Sequence, residues 1–278
     1  MVIEGNSKIN LALNVGERLS NGYHKVKMIM QEVSLCDKIW LNFGKSGVSL
    51  SCSSSSIPND SSNIAYKAAE LFIKKTHCDG VEIYIEKNIP SQAGLGGGSA
   101  DAAAVLKGMN EYYGYPLTED ELLKMGLSLG ADVPFCIKGG TALSEGIGEI
   151  LTPINSLIKT NILIVKPDAG MSTPFAYKRL DEMGFEKVDV DKVLLSLEEG
   201  DMDKLCKYMG NVFETVAKDV VPEVFDIKES LLSQGAEAAM MSGSGTAVFG
   251  IFTDDDALSA AYECMKEKYT HTYMAKML

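Results

Sequence analysis

The 278-residue chain reads as an α+β protein of two domains, and three observations carry that expectation. Its length exceeds the roughly 150 residues of an average domain. Apolar residues recur with period two in some stretches and period 3.6 in others, so strands and helices are both present. They succeed one another without the regular strand–helix–strand alternation of a doubly wound parallel sheet. A division falls in TPINSLIKTN, giving domains of residues 1–155 and 156–278.

The segment SKINLALNV alternates: Ile9, Leu11, Leu13 and Val15 share one face, and Lys8, Asn10, Ala12 and Asn14 the other, as in a half-buried strand. After a turn at residues 20–22 comes a second β-like stretch, KVKMIMQEV. SCSSSSIPNDSSN is a surface loop, too short to link independent domains. Ile64, Ala68, Leu71 and Phe72 then mark one face of a helix. VEIYIEKNI is a strand, and it runs through PSQAGLGGGS into the helix-forming SADAAAVLKGMNEYY. Thr118 and Glu121 form a capping box that opens ELLKMGLSL, which Gly130 stops. Beyond the division, NILIVKP is a strand, and STPFAYKRLDEM and DKVLLSLEEGDMDKLCKYMGNVFETV are helical. EAAMMSGSGTAVFGIF reads as two strands around a glycine turn, and DDALSAAYECMKEKY as a helix.

Composition narrows the function. With 46% hydrophobic and 23% charged residues the chain can bury a sizeable core, which excludes disordered and collagen-like classes. No apolar run reaches the roughly 18 residues of a membrane span, and MVIEGNSKIN lacks the build of a secretory signal. The six cysteines lie at least 16 positions apart, so a CxxC motif is excluded and a reduced, cytoplasmic setting is expected. The net charge of −12 disfavours nucleic acid and anionic membranes as partners. Residues 1–155 hold 13 basic and 17 acidic side chains, residues 156–278 hold 13 and 21, so the first part is the nearer to neutrality. An anionic substrate is therefore held by local dipoles and single cations against the overall field.

The strongest chemical signal is PSQAGLGGGSA, residues 90–100. Gly94, Gly96, Gly97 and Gly98, between a strand and a helix, let successive N–H groups and the helix N-terminus face a phosphate. Ser99 can add a hydroxyl for a phosphate or Mg²⁺. The spelling excludes a Walker A loop, a dinucleotide fingerprint and the protein-kinase set. Asp132, in LGADVPF, can cap a short helix with Pro134 in its first turn, or act as general base toward a hydroxyl. Lys8 and Asn10, on the polar face of the first strand, read by default as solvated. His24 beside a turn reads as an ordinary histidine, and His77 and His271 have no partners in sequence. SGSGT, residues 242–246, is a second glycine-rich turn that can close over phosphates opposite the first.

PSQAGLGGGSA, GADVPF (residues 130–135) and SGSGT, in that order, resemble the three signatures of the GHMP kinases, and the resemblance covers essentially the whole chain. KINLALNV with NGYH (residues 21–24) and LCD (residues 35–37) is similar to the branch that phosphorylates 4-diphosphocytidyl-2-C-methyl-D-erythritol, a combination that mevalonate, homoserine and galactose kinases lack. The resemblance implies a ribosomal-S5-domain-2-like N-terminal domain and a ferredoxin-like C-terminal domain. It implies transfer of the ATP γ-phosphoryl group, with Mg²⁺, to the 2-hydroxyl of the erythritol moiety, in the non-mevalonate route to isoprenoid precursors.

By position, the resemblance makes Asp132 the catalytic base and Lys8 the lysine that keeps it ionised and stabilises charge on the attacking oxygen. It places Pro90, Ser91, Gln92, Ala93, Gly94, Leu95, Gly96, Gly97, Gly98, Ser99, Ala100, Ser242, Gly243, Ser244 and Gly245 around the phosphates, with Ser99 a metal ligand. Asn63 and Lys87 fall near the adenine. Asn10 falls near the transferred group, His24 on the cytosine edge, and Tyr23 and Tyr177 on its two faces. Small molecules are thus the expected partners, with the chain a monomer or homodimer. Three other readings stay open: a GHMP kinase for another small alcohol such as mevalonate or homoserine, a non-catalytic nucleotide sensor, and a structural subunit that uses the glycine loops only as turns.

Overall fold

The computed structural model describes residues 1–20, 22–156 and 158–278. Asn21, in the expected turn and in the NGYH motif, and Leu157, in the expected division, lie outside the described residues. The chain forms two compact units. The first holds Met1–Ser7, Cys36–Ile89 and Gly96–Gly139; the second holds Lys8–Leu35, Pro90–Leu95 and Gly140–Leu278. These units do not follow the linear division at residue 155, because the strands β1 (Val2–Arg18) and β2 (His24–Lys45) each contribute residues to both.

In the first unit, β3 (Val48–Cys52) runs parallel to β4 (Gly80–Glu86), with Val48 opposite Val81. β4 is antiparallel to the C-terminal half of β2, with Trp40 opposite Tyr84, and β1 follows next in order. Four helices complete the unit: α1 (Ile64–Thr76), α2 (Gly97–Tyr112), α3 (Glu119–Leu129) and α4 (Val133–Lys138). The serine-rich stretch before α1 is mostly exposed loop from Ser53 onward, as the sequence indicates, but its first residues finish β3. The capping box is formed: Thr118 accepts from the backbone of Glu121, whose carboxylate returns to the N–H of Thr118. Residues 100–106 of α2 are all buried, since the helix packs against α1, α3 and α4. Gly108 allows close approach to the sheet; a Cβ there would stand 2.5 Å from Leu41 Cδ1.

In the second unit, β1 runs parallel to the two-residue β8 (Gly210–Asn211), with Leu13 opposite Asn211. The N-terminal half of β2 pairs with β5 (Thr141–Glu145), which pairs with β6 (Ile150–Pro153). A separate four-stranded antiparallel sheet has the order β11 (His271–Lys276), β7 (Asn161–Lys166), β10 (Val248–Phe252), β9 (Ala238–Met241). Ranked along the chain that order is fourth, first, third, second. Helix α10 (Asp255–Lys268) packs on β7 and β11, and α9 (Glu223–Ser233) on β9 and β10. This is the ferredoxin-like arrangement. The remaining helices are α5 (Thr173–Met183), α6 (Val190–Glu199), α7 (Met202–Tyr208) and α8 (Glu214–Val220).

Two expectations change. SKINLALNV is not half-buried: Ser7 through Leu13 are all buried, the supposed polar face included. The stretch expected to be helical from Asp191 to Val216 breaks into α6, α7, β8 and the start of α8, with left-handed Gly200 ending α6. The fold class stands as α+β.

Candidate active site

The loop 90–100 leaves β4 and enters α2, and its first half is anchored in the second unit. The N–H of Lys8 donates to the carbonyl of Leu95 (3.0 Å), and the N–H of Ala247 to that of Ala93 (3.1 Å). The hydroxyl of Ser242 donates to the carbonyl of Gly94 (3.0 Å). The two glycine-rich turns therefore lie in contact. A Cβ on Gly94 would come within 2.0 Å of the Ser242 carbonyl oxygen, and Gly94 has φ +74°, so no other residue fits without moving the turn. Asn211 pins the second turn from beneath, its Nδ2 donating to the carbonyls of Met241 and Gly243, both at 2.8 Å.

Lys8 and Asn10 face this junction from β1. Both are buried, at 4% and 0% exposure, which overturns the solvated reading. Lys8 Nζ donates to Asn10 Oδ1 at 2.8 Å, and it lies 3.2 Å from where a Cβ of Gly243 would stand. Within the second unit, then, Lys8, Asn10, Gly94, Leu95, Ser242 and Gly243 come together. Ser244, on the same turn, shares a hydrogen bond with Thr173 at the start of α5 (2.7 Å).

The second half of the loop belongs to the first unit and opens α2. Gly96, at φ +71°, takes the N-cap position and offers no side chain to the first N–H groups. The first N–H groups of a helix have no partner within the helix, which an anion can use. Ser99 Oγ lies 3.9 Å from where a Cβ of Gly130 would stand, so it borders the segment that carries Asp132. Asp132 occupies the N-cap position of α4, yet its side chain makes no capping bond there. The capping role that the sequence permits is not the one it performs. Asn63, by contrast, is a working cap: Oδ1 accepts from Ala65 N and Nδ2 donates to the Pro58 carbonyl, both at 2.9 Å.

Lys87 is more constrained than its sequence suggests. Its ammonium sits between Asp37 and Asp101 and is 2.7 Å from Asp101 Oδ2, with all three side chains buried. Asp37 also accepts from the N–H groups of Asn88 (2.6 Å) and Ile89 (2.9 Å), just ahead of the glycine loop. Burial pushes the Asp101 carboxyl up to about 8, Lys87 working against the shift and the Asp37 charge adding to it. Burial pulls Lys87 down, but the two carboxylates outweigh it and hold its ammonium above the ordinary lysine value. Lys87 Nζ is also 3.5 Å from where a Cβ of Gly97 would stand, at the start of α2.

His24 and Tyr177, 153 positions apart in sequence, meet in the second unit. Their rings stack with centroids 5.0 Å apart and planes 21° apart, and Phe213 meets Tyr177 edge-on at 4.9 Å. His24 Nε2 lies 2.8 Å from Asp181 Oδ1. Tyr23, next to His24, is 56% exposed.

Family models for the GHMP kinases N terminal domain and the GHMP kinases C terminal match residues 63–140 and 193–271. A protein of Clostridium tetani named 4-diphosphocytidyl-2-C-methyl-D-erythritol kinase is 41% identical over 280 residues, covering 100% of both chains. The chain belongs to the GHMP kinase family. A relative of the same name from Acetivibrio thermocellus is 43% identical, over 99% of this chain and 98% of its own. The crystal structure of a 4-(cytidine 5'-diphospho)-2C-methyl-D-erythritol kinase superposes with a TM-score of 0.85 at 30% identity, covering 100% and 99% of the two chains. The GHMP kinase architecture expected from the three signatures is thus the one the chain adopts.

Beside these GHMP kinase signatures stand residues to which the sequence reading gave no role: Asp37, Asp101, Asn211 and Asp181. Asp37 was visible as the last residue of LCD, and Asp181 had a signal in lying four positions after Tyr177 and so on the same face of α5. Among the described residues no group of three or more His, Cys, Asp or Glu side chains is placed to hold a metal ion. No helix among them is long and apolar enough to cross a membrane.

Proposed function

We propose that this GHMP kinase transfers the γ-phosphoryl group of ATP to the 2-hydroxyl of 4-diphosphocytidyl-2-C-methyl-D-erythritol, giving the 2-phosphate and ADP. The carrying observation is full-length identity of 41–43% to kinases of that name, together with two glycine-rich turns in contact at Gly94 and Ser242. Phosphoryl transfer asks the protein mainly for positioning and charge stabilisation, which the first N–H groups of a helix and a buried ammonium supply.

In this reading the 2-hydroxyl oxygen attacks the γ-phosphorus, Asp132 takes its proton, and the bond from the γ-phosphorus to the β–γ bridging oxygen breaks to release ADP. Lys8 stabilises negative charge on the attacking oxygen, and Asn10 orients the acceptor. Loop 90–100 and the turn Ser242–Gly245 hold the phosphates, with Asn63 and Lys87 toward the adenine. His24, Tyr23 and Tyr177 receive the cytosine. The described donors suit Mg²⁺ held chiefly by the nucleotide's own phosphates, with Ser99 supplying a hydroxyl; Mg²⁺ would neutralise charge on those phosphates. All six cysteines are free thiols, in keeping with work in a reduced cytoplasm.

A coupled ADP-release assay with ATP and Mg²⁺ tests the reading by comparing the CDP-linked substrate with mevalonate and homoserine. Turnover confined to the CDP-linked substrate is expected. Turnover with another alcohol instead would discard the cytidine assignment, and ATP binding without any turnover would favour the sensor.

A further inference from the structure

His24 Nε2 faces the carboxylate of Asp181 at 2.8 Å, and the histidine side chain is 6% exposed. An ionised carboxylate has no hydrogen to give, so the bond requires the proton to sit on Nε2. In a neutral imidazole that choice leaves Nδ1 as a bare acceptor. The ring is also fixed in plane. Tyr177 stacks on it, Phe213 backs Tyr177, and Asp181 follows Tyr177 by one helical turn on α5. A single helix face thus supplies both the stacking partner and the acceptor.

We propose that Asp181 is a positioning residue for base specificity: by accepting the Nε2 proton of His24 it keeps Nδ1 an acceptor, and so selects a pyrimidine with an exocyclic amine over one with a carbonyl in its place. This rests on the reading above that His24 faces the cytosine edge. The 4-amino group of cytosine donates to Nδ1, whereas the 4-carbonyl of uracil sets acceptor against acceptor and leaves a buried polar pair unsatisfied. The aromatic faces cannot make this distinction, because both pyrimidines stack.

The test pairs a spectroscopic measurement with competition. The chain has three histidines, so ¹⁵N ring signals can be assigned with a His24→Asn blank. The unmodified enzyme should show a neutral His24 ring protonated on Nε2. In Asp181→Leu, which removes the acceptor from a partly exposed position, the tautomers should mix. The preference for CDP over UDP as inhibitor should then fall roughly 10- to 100-fold, with the KM for ATP unchanged. Asp181→Glu should restore much of the preference. A His24 ring protonated on Nδ1, singly or doubly, in the unmodified enzyme overturns the proposal whether or not any variant folds. A CDP preference kept intact in Asp181→Leu also overturns it while leaving the base pocket standing. Absence of any CDP preference in the unmodified enzyme would instead refute the cytosine reading on which the proposal rests.

Discussion

Lys8 and Lys87 are both withdrawn from solvent, yet their surroundings differ. Lys87 is wedged between Asp37 and Asp101, in a cluster that also ties down the backbone of Asn88 and Ile89. Lys8 donates to the neutral amide of Asn10 and borders Gly243 in the second glycine turn. A lysine held between buried carboxyl groups has its charge matched inside the fold by Asp37, and removing it leaves that anion stranded. Lys8 stands on an amide beside a glycine turn, where the proposed reading brings the charge of the reacting oxygen. Burial is common to the two lysines; the proposed roles differ.

The first way to break this comparison is Lys8→Met. It should lower turnover about 10²- to 10³-fold, the scale of losing one preorganised charge stabiliser, with little change in melting temperature. Lys87→Met should do the reverse. Stranding the buried Asp37 carboxylate should destabilise the fold by about 3–5 kcal/mol in thermal or denaturant unfolding. Equal losses of activity and stability in both variants would erase the distinction. Asp132→Asn should reduce turnover by about 10²- to 10⁴-fold while nucleotide affinity holds in a binding titration, because in the proposed mechanism this carboxylate serves the hydroxyl and not ATP.

The same comparison is sharpened by pH. Asp101 has its carboxyl raised from 3.8 to about 8 in the fold. Between those values the folded chain keeps a proton that the unfolded chain has released, so this group's contribution to stability falls as pH rises from about 4 to about 8. Asp101→Asn, which mimics the protonated acid, should flatten that part of a melting-temperature-against-pH profile and leave Lys87 with an acceptor. An unchanged slope would show that Asp101 is ionised throughout. The smallest effect expected is from Ser242→Ala, which removes the bond to Gly94 and should cost about 1 kcal/mol of stability, read by denaturant titration.

What could be seen in the sequence was local. The capping box at Thr118 and Glu121, the strand-to-helix glycine loop and the hairpin around SGSGT each depend on neighbours a few residues away, and each is present. The partners that give those motifs meaning come from far along the chain. Asp37 is 50 positions from Lys87, Asp181 is 157 from His24, and Asn211 is 32 from Gly243. No periodicity reports such meetings. The strands β5 and β6 escaped notice because their segment, GGTALSEGIGEILTP, is rich in glycine and reads as loop. The polar face of SKINLALNV looked solvated because alternation tells which residues share a face, not whether that face is covered.

The central claim is a phosphoryl transfer to the CDP-linked polyol, and product analysis tests it most directly. The protein is incubated with ATP, Mg²⁺ and 4-diphosphocytidyl-2-C-methyl-D-erythritol and followed by ³¹P NMR. The account predicts one new phosphomonoester resonance on the CDP-linked compound, growing in step with ADP at one to one. ADP formed without that resonance, or a phosphate appearing on any other acceptor supplied, would contradict it.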